Sequence, residues 1–244
     1  MKDEYLSSFF VLRSGAVMGR GLIFQKHTPN RSCFCLFDTL SFVRSEFIDA
    51  LRANEGAFGL VLGDAVVERL ADHYELVMEH NPLLHLVGPT SAGDFAVRHV
   101  LESLTMLEFL PGGARFADVG SGAGFPAIPC LIVRDDLTGF LIESKEKKAG
   151  FLRTSIAKCE LGGRAEVIAK QFSETPRPDV SYVSCRALDR FTQHLPKLLK
   201  WSGDCTLLFY GGPALRDEMV RLGLKVTERL MPLSEQRFLF IAER

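Results

Sequence analysis

Apolar residues recur at helical spacing after Asp64, at Val66, Val67, Leu70, Tyr74 and Val77. This spacing predicts an amphipathic helix with Asp64 as its N-cap. Asn81-Pro82 is its predicted end, because proline disfavours helical backbone in the residue before it. A second helix is predicted over 94–109, with Phe95, Leu101, Leu104 and Leu107 turned inward. Pro111-Gly112-Gly113 then breaks the pattern. Beyond it the reading is strand 115–119, helix 125–134, strand 138–143, helix 146–159 and a short strand 165–169. Strand 179–184, helix 189–201, strand 204–210 and helix 214–222 follow, and strands near 225–230 and 236–242 close the chain. Such alternation implies a mostly parallel α/β sheet covered on both faces by helices, with the closing hairpin as an antiparallel edge. Ligands in such sheets sit at the carboxyl ends of the strands, where strand order reverses. That rule gathers Gly120, Glu143 and the residues after Ser184 around one cleft.

Residues 1–44 show no comparable period. Phe9-Phe10-Val11-Leu12 is apolar, but Asp3 and Glu4 precede it and Arg13 interrupts it, which fits a secretory signal poorly. The stretch 19–31 mixes Gly, Pro, Asn and basic residues. The expectation is a poorly ordered extension over 1–44, with Met18 or a later codon as the natural start, then an N-terminal helical segment over 45–93 and the α/β domain over 94–244.

At 244 residues and 47% hydrophobic, the chain can bury a full core. Its net charge of −1 supplies no global basic field, so any contact with nucleic acid must use a local patch. No apolar run approaches the ~18 residues needed to cross a bilayer. Six cysteines without a CxxC pair suit a reducing cytosol. Cys33 and Cys35 lack a second pair to complete a tetrahedral metal site. The expectation is a cytoplasmic monomer without a metal.

The chemistry concentrates in Asp118-Val119-Gly120-Ser121-Gly122-Ala123-Gly124-Phe125-Pro126. An apolar strand feeds an acid, then three glycines at alternate positions, then an apolar helical stretch. Glycine lets the chain turn sharply and lets a ligand approach the main chain. The following helix offers free N–H groups to negative charge. Glu143 closes the next apolar run about 19 residues beyond Gly124, near the ~20 expected for a ribose-binding acid. The pattern reads as an adenosine site. A dinucleotide fingerprint needs a third glycine three residues after the second, where this chain has Phe125. Alternate glycines behind an acid instead resemble the first motif of class I S-adenosylmethionine (SAM) methyltransferases. Two weaker motifs read as structure: Pro129-Cys130 as helix packing rather than a nucleophile, and Asn81-Pro82-Leu83-Leu84 as a helix stop.

Flanking residues resemble one family, the bacterial small-subunit ribosomal RNA methyltransferase G, also called glucose-inhibited division protein B. The resemblance covers about 97–186. It is carried by Val97-Arg98-His99-Val100-Leu101-Glu102-Ser103-Leu104, by the glycine run through Pro129, by Glu143-Ser144, Lys147-Lys148 and Phe151-Leu152-Arg153, and by Val183-Ser184-Cys185-Arg186-Ala187. It implies a class I, Rossmann-like seven-stranded methyltransferase fold, with SAM as donor and N7 of a guanine in 16S rRNA of the small ribosomal subunit as acceptor. It further implies donor contacts from Asp118, Gly120, Gly122, Gly124, Phe125 and Glu143, and adenine held at Phe172 and Ser173. Arg186 would border donor and target base as the positioning catalytic residue, with no general base. Arg98, His99, Lys147 and Lys148 would face RNA. The chain departs from the family pattern at His85-Leu86-Val87, Cys185 and Tyr210, all expected on the RNA or target-base side, which leaves a methyltransferase of another substrate or a weakened paralogue as alternatives.

Overall fold

Strand residues alternate between two apolar clusters with the period of two that a pleated strand imposes. In the computed structural model, which describes residues 31–186 and 191–243 and side chains from residue 43 onward, Phe116, Leu141, Leu208 and Leu239 face one cluster. Ala117, Val119, Ile142, Val183, Cys185, Phe209 and Phe240 face the other. The strands are β1 (Arg115–Val119), β2 (Thr138–Ile142), β3 (Ala165–Ile168), β4 (Tyr182–Arg186), β5 (Thr206–Gly211), β6 (Lys225–Leu230) and β7 (Phe238–Glu243). Their order is β3-β2-β1-β4-β5-β7-β6. Pairings from β3 through β5 are parallel, and β7 runs antiparallel to both β5 and β6. This is the expected class I methyltransferase sheet, and its order reverses between β1 and β4.

Helices cover both faces. The layer on the Phe116 face contains α1 (Arg31–Asn54), α2 (Asp64–Leu84), α5 (Ala127–Val133) and α6 (Glu146–Lys158). It also holds one continuous helical course made of α3 (Ala92–Phe95), a π-helical turn (Ala96–Leu101), α4 (Glu102–Leu104) and a 3-10 segment (Thr105–Phe109). The opposite face carries α7 (Phe191–Ser202) and α8 (Pro213–Arg221), through Leu195, Leu198, Leu215 and Met219. The outer edge β6 is largely exposed and bears Lys225, Glu228 and Arg229, the charged dressing that discourages strand addition.

Four sequence expectations about helix ends need correction. Asn81-Pro82 does not stop α2, which runs on to Leu84 and ends at His85 in the left-handed region (φ 48°). Proline disfavours but does not forbid a helical predecessor. The Asn81 side chain catches the emerging chain instead, its Oδ1 accepting from the Leu86 and Val87 N–H groups at 2.7 and 2.9 Å. Asp64 is the first helical residue rather than the N-cap, which is Gly63. The 94–109 helix starts at Ala92, capped by Ser91 Oγ accepting from Asp94 N at 3.0 Å, and changes pitch along its length. Further upstream, α1 already runs from Arg31, so regular structure precedes Ser45, while residues 1–30 of the expected extension lie outside the described residues.

Candidate active site

The switch between β1 and β4 opens a cleft over the strand ends. A cavity of about 380 Å³ is walled by Gly120, Gly122 and Phe125 of the glycine loop, by Glu143 after β2, and by His99 and Arg186. Its outer wall is Leu86, Val87 and Gly88, the segment held by Asn81. Gly120, Ser144 and Lys145 also line a neighbouring cavity of about 200 Å³ that extends to Phe172, between Val119, Ile142, Gln171 and His194. One groove therefore runs from Arg186 across the glycine loop and Glu143 to a partly apolar end at Phe172.

The loop conformation requires its glycines. Gly122 sits at φ +53°, where a Cβ would meet the Gly120 carbonyl oxygen at 3.7 Å, an ordinary contact, so the backbone conformation is what asks for glycine. Gly124 sits at φ +91°, and a Cβ there would lie within 2.9 Å of Ile128 Cγ1, so this position serves the packing of α5 against the loop. Glu143 is nearly buried, and its carboxylate locks the loop. Oε2 accepts from Gly122 N at 3.1 Å and Oε1 from Lys145 N at 2.8 Å. A carboxylate has about four lone-pair sites, so both oxygens keep capacity for ribose hydroxyls. Carboxylate, approachable loop backbone and an apolar end at Phe172 together fit an adenosyl group.

Arg186 ends β4, beyond the strand end read from sequence, and faces the helical layer. Its Nη2 donates to Glu102 Oε2 at 3.1 Å and to the Arg98 carbonyl, and Nη1 donates to Ser103 Oγ at 3.4 Å. Its guanidinium lies 5.4 Å from the Tyr210 ring centroid, in the cross-strand register Arg186↔Tyr210. His99 packs 5.4 Å from Phe125, and burial with the nearby Arg186 and Arg98 charges pushes its pKa down to about 4, so it is neutral at physiological pH.

The other residues singled out from sequence separate. Asp118 lies beneath the loop, fully buried, with Oδ1 accepting from Ser184 Oγ at 2.8 Å. Burial raises its pKa to about 7. Lys148 lines the cleft and donates to the His85 carbonyl at 3.1 Å, whereas Lys147 is exposed outside it. Arg98 is exposed, and Ser173 is exposed beside the buried Phe172. Of the three departures, Cys185 is buried on the opposite sheet face, and Leu86 and Val87 wall the groove beside the glycine loop. Tyr210 lies under Arg186, its hydroxyl donating to the Ser103 carbonyl at 2.8 Å. Cys130 is fully buried in α5, its thiol donating to the same carbonyl, and burial pushes its pKa far up.

Sequence reasoning missed Glu102 as a partner of Arg186, and it missed His73 and Arg237 altogether. His73 is fully buried, and its Nε2 lies 3.0 Å from the Ala123 carbonyl of the loop. Arg237 Nε donates to Glu102 Oε1 at 2.6 Å. The available signal was charge within apolar neighbourhoods: His73 lies between buried positions of α2, and Glu102 between Leu101 and Leu104.

A family model described as rRNA small subunit methyltransferase G matches residues 66–234. The ribosomal RNA small subunit methyltransferase G of Pelotomaculum thermopropionicum is 34% identical over 177 residues, 68% of this chain and 74% of that protein. The protein of the same name from Desulfotalea psychrophila is 29% identical over 205 residues, 78% of this chain and 94% of that one. Among solved structures, the pyocyanin biosynthetic protein PhzM shares the fold, with a TM-score of 0.51 and 16% identity over 63% of this chain and 57% of that one. Sheet order and cleft define a class I SAM-dependent methyltransferase. The chain belongs to the rRNA small subunit methyltransferase G family.

Proposed function

We propose that this protein transfers the methyl group of SAM to N7 of a guanine in 16S rRNA, acting as a cytoplasmic monomer on the small ribosomal subunit. The observation that carries the reading is the Glu143-locked glycine loop facing Arg186 across one groove, within the stretch matched by the family. Glu143 would accept from the ribose hydroxyls, Phe172 with Val119 and Ile142 would flank the adenine, and the Gly120–Phe125 loop would hold the remainder. Bound SAM supplies an electrophilic methyl on a sulfonium centre. Guanine N7 carries an in-plane lone pair that becomes the new N–C bond, and no proton has to leave. Neutral His99 and the buried Asp118 fit a site that works by positioning and exclusion of water rather than by acid–base transfer. Exposed Arg98 and Lys147 supply the local positive patch for RNA.

Methyl-labelled SAM incubated with small subunits from a strain lacking the enzyme tests the reading. Label is expected in N7-methylguanosine of 16S rRNA, and label elsewhere or none overturns it. Gly122→Asp, at positive φ inside the groove, is expected to abolish SAM binding in calorimetry.

A further inference from the structure

Arg186 lines two cavities. On its other side lies a space of about 200 Å³ walled by Glu102, Tyr210, Gly211, Met231, Arg237 and Phe238. Glu102 sits almost fully buried between two guanidinium groups, 3.1 Å from Arg186 Nη2 and 2.6 Å from Arg237 Nε. Two such cations on one carboxylate leave about one net positive charge in a sheltered space, where charge interacts more strongly than in water. Burying charged groups costs folding energy that ion pairing returns only in part. The arrangement is therefore better explained by a ligand than by stability.

The chemistry of the walls restricts that ligand. Arginine only donates hydrogen bonds, and Glu102 keeps acceptor capacity on both oxygens. The Tyr210 ring and the Met231 and Phe238 side chains supply apolar surface for a planar group. Guanine offers N–H donors at N1 and the 2-amino group, and a carbonyl acceptor at O6. Adenine would turn its 6-amino donor toward the arginines, and that mismatch supplies discrimination.

We propose that this cavity is the acceptor pocket, entered by a guanine base unstacked from RNA. Glu102 reads the N1 and 2-amino edge, so N7 faces the junction with the donor groove at Arg186. Arg237, from the β6–β7 hairpin, acts as a positioning residue by orienting Glu102. The inference rests on the guanine-N7 reading above.

The test uses Arg237→Ala, Arg237→Lys and Glu102→Gln in the full chain, with two measurements. Calorimetry with S-adenosylhomocysteine reads the donor groove, and steady-state methylation of small subunits from the deletion strain reads the acceptor. Unchanged S-adenosylhomocysteine affinity is expected in all three. Arg237→Ala and Glu102→Gln are expected to lower kcat/KM for subunits by about ten-fold or more, chiefly through KM for Arg237→Ala, with partial rescue by Arg237→Lys. Ultraviolet crosslinking to subunits carrying 6-thioguanosine is expected to mark the peptide 231–238. If Glu102→Gln misfolds, Arg237→Ala, whose side chain is 38% exposed, decides alone. Wild-type methylation of guanine N7 with unaffected variants, or crosslinks confined to other peptides, overturns the pocket and leaves the reaction standing. Absence of N7-methylguanosine with wild-type protein overturns the reaction, and the guanine pocket with it.

Discussion

His73 donates through Nε2 to the Ala123 carbonyl, while its Nδ1 is buried without a hydrogen-bond partner among the described residues. Desolvation lowers its pKa to about 4, so the folded state binds it neutral while the unfolded chain protonates it near 6.5. A depressed histidine pKa gives stability that is present above the unfolded value and lost as pH falls through the folded one. For His73 this amounts to about 3 kcal/mol between pH 6.5 and 4. Asp118 works in the opposite direction. Its pKa, raised to about 7, gives stability that is full below the ordinary carboxylate value and lost as pH rises through 7. With His99 also depressed, the histidines dominate on the acid side, and thermal melting is expected to fall from pH 6.5 to 4. His73→Gln should flatten that slope. Asp118→Asn should raise Tm at pH 8 relative to wild type, because it removes an ionisation the core disfavours. A steeper acid slope in His73→Gln, or a lower Tm for Asp118→Asn at pH 8, would contradict these assignments. Neither residue's environment was legible in sequence. The period of α2 places position 73 inward without saying which carbonyl awaits it, and Asp118 reads as a ligand acid until the Asp118↔Ser184 register shows what it faces.

Among the elements, α2 does more for the groove than its sequence announces. It carries His73 to the loop, and Asn81 at its end fixes Leu86 and Val87 as the groove wall. Strand and helix identities from β1 onward were legible because each apolar run is short, bounded by turn residues and periodic. Boundaries shifted where an end is set by tertiary contact, as at Arg186, whose strand conformation extends to meet Tyr210. The N-terminal boundary shifted for the same kind of reason. Arg44 bridges Glu68 at 2.7 Å, Asp72 at 3.1 Å and Glu75 at 2.5 Å on α2, a link invisible to local periodicity. A chain starting at Arg31 is expected to match the full chain in Tm and in S-adenosylhomocysteine affinity. One starting at Ser45 loses this network and the first half of α1, and should melt several degrees lower. That follows if the network is worth about 1–2 kcal/mol, somewhat above an isolated surface pair. Equal melting of the two truncated chains would show that the Arg44 bridges contribute nothing.

Across the whole molecule, the two helical layers have different tasks. The α7–α8 face packs the sheet, whereas the opposite face gathers the loop, Arg186, Tyr210 and the course over 92–109. Motif spacing made the meeting of the glycine loop with Glu143 readable, because the two lie close in sequence. The Glu102 cluster joins residues up to 135 positions apart, and no local pattern encodes that separation. The π-helical turn has a further consequence here. Glu102 is the residue immediately after it, and the Glu102 N–H donates to the carbonyl of Val97, five positions back. Such a turn is an α-helix carrying one surplus residue that the widened turn absorbs, so excising a single codon at Val97 would restore ordinary pitch with the flanking turns still in phase. Phe95 and Glu102 would then both keep the faces on which they meet their partners. The in-frame loss of one codon at this turn is thus expected to leave the helical layer joined to β4 and to the hairpin, whereas the same loss in an uninterrupted helix would not be absorbed. The readout would be a wild-type far-ultraviolet spectrum with S-adenosylhomocysteine still bound and Tm close to that of the full chain, and a collapse of Tm would contradict it.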